Sequence, residues 1–573
     1  MIEQNTQWAG DFLLLFGHTE TLPPARSGGT WRPIFRQDAC ALFLSAPTEK
    51  WRGSPLYYWQ DASRQFWQMG AVWGNKAEKL PTDWPGHYAL LALDNATNHW
   101  HLWTNRCGTF HVYYGRGLNA AALGTFSPAV SALTPRTLDT DALAGFFSLG
   151  FFPADRTHHK EVQIIRPATH FELDTHGSVI KQERLWRWRH EPDPQRTFDA
   201  TVDEFAEIFH QVIGNQLYNR SVAFPISGGL DSRSTIAALP SEMHSSSPWS
   251  YSYGFAEDSV ETHIAAKIAA ARDLPFNNFT VRPYLFNALP MVVDSLEGFQ
   301  DITQARQAFV VNDLAAHADY VMAAHWGDVW LDDMGTEKQP HKEFLDFAAT
   351  KFIKQPEWLL KHIIQPLAPR LEIRALLRET LSAETQRLGD IVEDDFRLKA
   401  LKTEMWSFRW TTASLRMYQP GAFPLLPFYD PRLIDFFCTV PTTYVRGRRL
   451  QIEYLKRYAA DLARVPWQVF DANLYWYPYF NSLLLPKRAM KKSMHLIRRK
   501  AVLERNWEVQ YLSPGGREHL EGCLLANGLS VHTLVSQVEI GNLIKAFYAS
   551  PSPAAAYSLS MLLTFSTWLE RHG

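Results

Sequence analysis

Six consecutive residues limit this chain more than any others: Ser227, Gly228, Gly229, Leu230, Asp231 and Ser232. Ahead of them Val222-Ala223-Phe224-Pro225-Ile226 reads as a short buried strand, and behind them residues 233–239 read as the first turns of a helix. Two adjacent glycines let a phosphate approach the backbone closely, while a helix start supplies unpaired N–H groups and the positive end of a dipole. Ser227 and Ser232 add hydroxyl donors. A Walker A loop needs a lysine that reaches the outer phosphates, and none stands here. Asp231 occupies the loop instead. A carboxylate facing phosphates is tolerable only across a divalent cation, so the loop implies a magnesium-nucleotide complex. The bland alternative is a Gly-Gly turn capped by serine.

The surroundings favour the first reading. Residues 249–255 alternate like a second strand, Ser259-Val260-Glu261 opens an alanine-rich helix over 262–272, and a third strand is expected around 276–281. Residues 319–324 read as a further core strand that runs into His325-Trp326-Gly327-Asp328. Strands alternating with helices predict a parallel, doubly wound sheet whose ligands bind beyond the carboxyl ends of its strands. Asp328 follows a glycine at such an end and is expected to share a magnesium site with Asp231; the competing role is a helix cap.

A length of 573 residues leaves room for two or three domains, and 46% hydrophobic with 20% charged residues describes a globular protein. A net charge of −2 gives no bias toward nucleic acid. Cys40, Cys107, Cys438 and Cys523 form no CxxC pair or zinc spacing and read as reduced packing residues. The apolar run at 12–16 is too short for a signal peptide or a membrane span, so the expected location is cytoplasmic, with no transmembrane segment.

SGGLDS resembles the loop of the N-type ATP pyrophosphatases. Together with Tyr251 to Phe255, the Glu261 helix, Gly327-Asp328 and Pro427-Phe428-Tyr429-Asp430, it resembles the synthetase half of the asparagine synthetases over roughly 203–468. The resemblance implies that Asp231 and Asp328 hold Mg2+. It implies that Ser227, Gly228, Gly229 and Ser232 hold the pyrophosphate of ATP, that Ala223, Tyr253 and Ala324 border adenine, and that Leu230, Asp231 and Gly254 belong to the same ATP site.

Residues 1–190 are similar to the same family's amidotransferase half, an N-terminal-nucleophile (Ntn) hydrolase αββα sandwich. Gly86 to Asp94 and His101 to Gly108 look like a hairpin, Arg106-x-Gly108 and Tyr113-Tyr114-Gly115 match family elements, and residues 141–150 match its closing helix. Glutamine-hydrolysing members carry cysteine after the initiator methionine. This sequence reads Met1-Ile2-Glu3, with no cysteine among its first 39 residues, so glutaminase activity is expected to be absent.

The implied activity is an AMP-forming carbon–nitrogen ligase. A carboxylate attacks the α phosphorus of ATP, and an amine or ammonia then displaces AMP from the acyl-adenylate. The carboxylate is a small molecule, a saccharide or a peptide. Alternatives are intramolecular cyclisation, as in the β-lactam synthetases and lasso-peptide cyclases, or a nucleotide-binding scaffold without activity. A homodimer or a precursor protein is the partner left open. His325 replaces the glutamate that helps deprotonate the amine in the family, and histidine is a competent base near neutral pH. For the cation that stabilises the transferring group, Arg449 is the first choice and Lys456 the second. Residues 335–401 are expected to be an inserted group of helices. Residues 469–573 are a helical extension that opens with Tyr475-Trp476-Tyr477-Pro478-Tyr479-Phe480, continues in a basic run from Lys487 to Lys500, and ends in an apolar helix over 554–568.

Overall fold

The computed structural model describes the chain except residues 1–6, 18, 20, 75–79, 241–247, 258, 340, 355, 481 and 483–504. The first three residues, on which the glutaminase expectation turns, and the basic run between Lys487 and Lys500 therefore lie outside the described residues.

Residues 7–184 form two antiparallel sheets. One has seven strands in the order Gln7–Ala9, Ser54–Gln60, Arg64–Val72, Gly86–Asp94, Trp100–Thr104, Thr169–Leu173 and Val179–Arg184. The other has six: Val162–Ile164, Tyr113–Arg116, Ala120–Gly124, Phe12–Gly17, Cys40–Ser45 and Trp31–Gln37. The expected hairpin is present, with Ala92 opposite His101. Alternation turns Leu14, Phe16 and Leu42 of one sheet and Met69, Leu91, Leu102 and Phe171 of the other into one shared core. The helix Thr140–Leu149 begins where the Asp139 carboxylate accepts the Ala142 N–H and ends at Gly150, whose φ of 85° is the left-handed stop that glycine supplies most easily.

A five-stranded parallel sheet follows, whose strands we number β1 (Val222–Pro225), β2 (Trp249–Gly254), β3 (Phe276–Thr280), β4 (Tyr320–Met322) and β5 (Phe423–Leu425). Their spatial order is β3-β2-β1-β4-β5, and every neighbouring pair is parallel. Val222, Ala223 and Phe224 are at most 2% exposed, as a central strand covered on both faces must be, which is why this stretch reads as an unbroken apolar run. The strand order reverses between β1 and β4, so the loops leaving those two strands diverge and open a crevice at their carboxyl ends.

Strand β5 is a strand that the sequence reading does not include. An apolar strand at a sheet edge needs cover, and the N-terminal sheets provide it: the His87 ring lies 4.9 Å from that of Phe423. Buried ion pairs lock the same junction. Arg26 pairs with Asp11 and Glu297 at 2.9 Å each, and Arg416 also reaches Glu297. Arg106, read as a family motif residue, bridges Asp83 at 2.8 Å and Asp435 at 2.7 Å. Removing one partner from such a pair costs about 3–5 kcal/mol, because the other charge stays buried.

The 335–401 region contains the helices Phe344–Phe352, Ile373–Gln386 and Asp394–Lys402. The C-terminal region ends in the helix Pro553–His572. Its Trp568 ring stacks on His158 at 3.6 Å, and the Tyr557 hydroxyl donates to the Phe147 carbonyl at 2.8 Å, so this helix shares a core with the N-terminal sandwich. Among the described residues no helix is long and apolar enough to cross a membrane.

Candidate active site

After β1 the chain turns through Ile226 to Leu230 into the helix Asp231–Ala237. The Ser232 hydroxyl accepts the Ser227 N–H at 3.0 Å, and Ser227 Oγ accepts the Gly229 N–H at 3.3 Å, so both serines brace the loop from within. Leu230 is buried, and its carbonyl accepts the Ser234 N–H. The segment 462–468 lies against this loop. A Cβ on Gly228 would come 2.6 Å from Gln468 Oε1. The buried Arg233 fixes that segment by donating to the carbonyls of Leu462 (3.3 Å), Val465 (2.8 Å) and Pro466 (2.8 Å). Burial draws the Arg233 pKa down to about 10.

After β4 the chain passes through Ala323, Ala324 and His325, and Trp326 takes a left-handed φ of 78° before the short helix Gly327–Trp330. The N-cap position falls on Trp326, so Asp328 is not the cap. It is solvent-exposed. Gly327 explains how the two loops meet: a Cβ there would lie 2.8 Å from Asp231 Cγ and 2.9 Å from both Asp231 Oδ1 and Phe428 Cε2. Only a residue without a side chain lets the β1 carboxylate rest on the β4 turn. Phe428, from the Pro-Phe-Tyr-Asp element, closes the far side. Asp430 of that element is fully buried, accepts the Trp73 indole N–H at 3.1 Å and caps the helix Pro431–Phe437, so its role is to hold the backbone.

Burial pushes the Asp231 carboxyl above its ordinary pKa, and Asp328 pushes it the same way; Arg448 and Gln451 oppose them. Arg448 Nη1 donates to Asp231 Oδ1 at 2.7 Å, and Gln451 Nε2 donates to the same oxygen at 3.0 Å. Asp332 orients Arg448 through its Nε at 3.3 Å, and accepts the Gly447 N–H at 2.9 Å. Burial works against the Arg448 charge, yet Asp231, Asp332 and Asp328 hold its pKa above the ordinary value. The structure thus puts Arg448 at the carboxylates. Arg449, the first choice from sequence, lies instead over the Phe198 ring at 4.0 Å, and Lys456 sits 3.9 Å from Glu453 and 5.9 Å from the Tyr475 ring.

His325 is half-buried beside Tyr418, with an interplanar angle of 77°. Burial, with help from Arg306, draws its pKa down to about 4 against the pull of Asp328. Its Nδ1 has no hydrogen-bond partner among the described residues. The imidazole is therefore neutral at pH 7.

Ala223 is 0% exposed inside β1 and offers no surface. Tyr253 and Ala324 are partly exposed at the ends of their strands, and Arg306 lies over the Tyr253 ring at 5.5 Å. Gly254 packs against Ser259, where a Cβ would meet the serine Cβ at 2.6 Å. Just past β2, a cleft of about 320 Å3 is lined by Phe255, Asp301, Arg306, Asn506, Trp507 and Tyr557, and so joins the C-terminal region to the loop that leaves β2.

The sequence offers Arg448 as one of four basic residues here, with Arg446, Arg449 and Lys456, but ranks it behind Arg449 and Lys456; it does not single out Gln451, Asp332, Arg233 or Arg306 for this site. The helix Arg449–Tyr458 held a usable signal for one of these. It places Gln451 in its first turn, but Arg448 precedes the helix in a left-handed conformation with a φ of 67°, which no helical periodicity in the sequence announces.

The family model described as asparagine synthase matches residues 204–406, which contain β1 to β4 and both aspartates. The match supports membership of the asparagine synthase superfamily for that region and indicates an enzyme of the ligase type. No curated protein matches the chain.

Proposed function

We propose that this chain is an ATP-dependent ligase that activates a carboxylate as an acyl-adenylate, releases pyrophosphate, and passes the acyl group to an amine or to ammonia. The observation that carries this reading is the contact of Gly327 with Asp231, which joins the two loops that flank the switch point of the sheet.

Asp231 and Asp328 suit a hard divalent cation. They are two carboxylates close enough to perturb one another, and both Arg448 and Gln451 bond to a single Asp231 oxygen. Mg2+ held there would neutralise charge on the departing diphosphate. The protein's own contributions are positional and electrostatic. The loop 227–232 presents backbone N–H groups and braced serine hydroxyls to phosphate oxygens. Arg448, fixed by Asp332, stabilises charge that builds up as the α–β bridging bond breaks. Tyr253 and Ala324 offer an edge for the base, and the cleft beyond Phe255 has room for the acyl substrate. His325 accepts the proton lost by the amine as it attacks the acyl carbon.

None of the four cysteines is poised as a nucleophile. Burial raises the Cys40 and Cys438 thiols to about 12 and also pushes up Cys107 and Cys523. The amine on this reading comes from the substrate or from free ammonia.

The test is product identity. Incubation with ATP, Mg2+ and a panel of carboxylates should yield AMP and pyrophosphate; formation of ADP and phosphate, or no Mg2+-dependent binding of ATP, would overturn the proposal. For His325→Gln, amide formation should slow by about 10²-fold while ATP–pyrophosphate exchange changes little. The active form of this base is unprotonated, so with a pKa of about 4 its contribution persists through neutral pH and is lost only as the pH falls toward that value. Amide formation unchanged in His325→Gln, with the same pH profile as wild type, would contradict the assignment.

A further inference from the structure

On the outer face of the seven-stranded sheet, far along the chain from the nucleotide loops, four side chains with metal-binding atoms form a compact grid. His99 and His101 are two apart at the start of the strand Trp100–Thr104, and His170 and Glu172 are two apart on its antiparallel neighbour Thr169–Leu173. The period of two turns each pair to one side of the sheet. The intervening Leu102 and Phe171 point the other way, into the shared core. Register sets Glu172 directly opposite His101. The diagonals are short: His101 Nδ1 to His170 Nε2 is 3.0 Å, and His99 Nδ1 to Glu172 Oε1 is 3.0 Å. One donor atom from each of His101, His170 and Glu172 falls within a sphere of contacts no wider than 4.8 Å.

These separations match a first coordination shell. With zinc–nitrogen bonds of about 2.1 Å, adjacent donors lie about 3.0 Å apart in a six-coordinate shell and about 3.4 Å apart in a tetrahedral one. We propose that His101, His170 and Glu172 form a three-residue binding site for a borderline divalent transition ion of the zinc class, with His99 bonded to the Glu172 carboxylate from outside. Imidazole with one carboxylate suits such an ion better than Mg2+ or Ca2+, which take all-oxygen shells.

Two further features fit. His101 is 6% exposed, and its Nε2 has no partner among the described residues. Trp103 stacks on both rings, at interplanar angles of 7° to His170 and 20° to His101, and so limits their rotation. The charged groups around the grid are Arg64 and Lys181 on one side of the balance and Asp94, Glu172 and Glu183 on the other. Burial lowers the pKa of both His101 and His170, so both imidazoles are neutral near pH 7 and each has one nitrogen lone pair to offer once the tautomers adjust. A single proton shared between His101 and His170 would account for their contact alone. It gives no role to the approach of the Glu172 carboxylate, which His99 holds at 3.0 Å beside the two imidazoles.

The experiment uses the full chain, stripped with chelator and kept in excess Mg2+ so that Asp231 and Asp328 are not available to the probe. ZnCl2 is titrated calorimetrically, and CoCl2 is added as a spectroscopic probe. One Zn2+ per chain should bind, Co2+ should give a visible d–d band, and Zn2+ should raise the melting temperature. His170→Gln and Glu172→Gln, both at half-buried positions, should each weaken Zn2+ binding by at least about tenfold and abolish the thermal shift. Absence of Zn2+ binding by the wild type, or equal binding by both folded variants, would overturn the site.

Discussion

Arg448→Ala should lower the rate of pyrophosphate release by about 10²- to 10³-fold, the range seen when one preorganised transition-state donor is removed, whereas Arg449→Ala should stay within a few-fold of wild type. The two residues are adjacent in sequence, and the contrast isolates geometry from composition. Arg448 sits at the kink before its helix with a φ of 67°, and this conformation swings its guanidinium onto Asp231 and Asp332. Arg449 begins the helix proper and lies on Phe198. The loss in Arg448→Ala has two parts: charge on the breaking bond goes unanswered, and Asp231, already pushed up by burial and by Asp328, loses its main opposing charge. The Asp231 pKa should therefore rise further in the variant. Residual activity of Arg448→Ala should accordingly increase with pH, because alkali restores the carboxylate. The measurement is ATP–pyrophosphate exchange across pH for both variants; equal losses would place the transition-state cation elsewhere.

Gly327→Ala should be comparably damaging, with pyrophosphate exchange reduced by about 10²-fold, the order of magnitude for displacing reacting groups by about 1 Å. The added methyl would stand 2.8 Å from Asp231 Cγ and 2.9 Å from Phe428 Cε2. Neither neighbour yields easily. Asp231 opens its helix and is tied by Arg448 and Gln451, while Phe428 stacks on the buried Phe209 ring at 5.2 Å. The methyl must push the two strand-end loops apart, and that is the separation on which the proposed chemistry depends. Overpacking of this kind costs about 1–3 kcal/mol, so the variant should remain folded with a modest fall in melting temperature. A folded Gly327→Ala protein with wild-type exchange would mean that the contact between the loops is incidental. Gly228→Ala is the informative contrast, because its Cβ would meet only Gln468, with Oε1 at 2.6 Å and Cβ at 3.0 Å, and not a second strand-end loop.

Much of the α/β architecture was legible before any coordinates. Val222 to Ile226, SGGLDS and the helix behind it announced themselves because a buried parallel strand is apolar throughout and a phosphate turn needs glycine, and both demands are local. The strands expected at 249–255, 276–281 and 319–324 appear as Trp249–Gly254, Phe276–Thr280 and Tyr320–Met322. Strand β5 escaped notice because three apolar residues carry no periodicity, and it counts as a strand only through its pairing with β4.

What the sequence by itself determined is the chemistry that local backbone and residue type dictate: a glycine turn at a strand end, two acidic residues placed after strands, and a histidine before the second of them. What only the tertiary structure decided is which groups meet. Arg448 in place of Arg449, Gln451 and Asp332 as its companions, Arg233 clamping the segment over the loop, and the histidine grid on the outer sheet all depend on a helix phase, a left-handed residue or a strand register. Each of these is set by packing between elements hundreds of residues apart, and a shift of one position turns a side chain to another face.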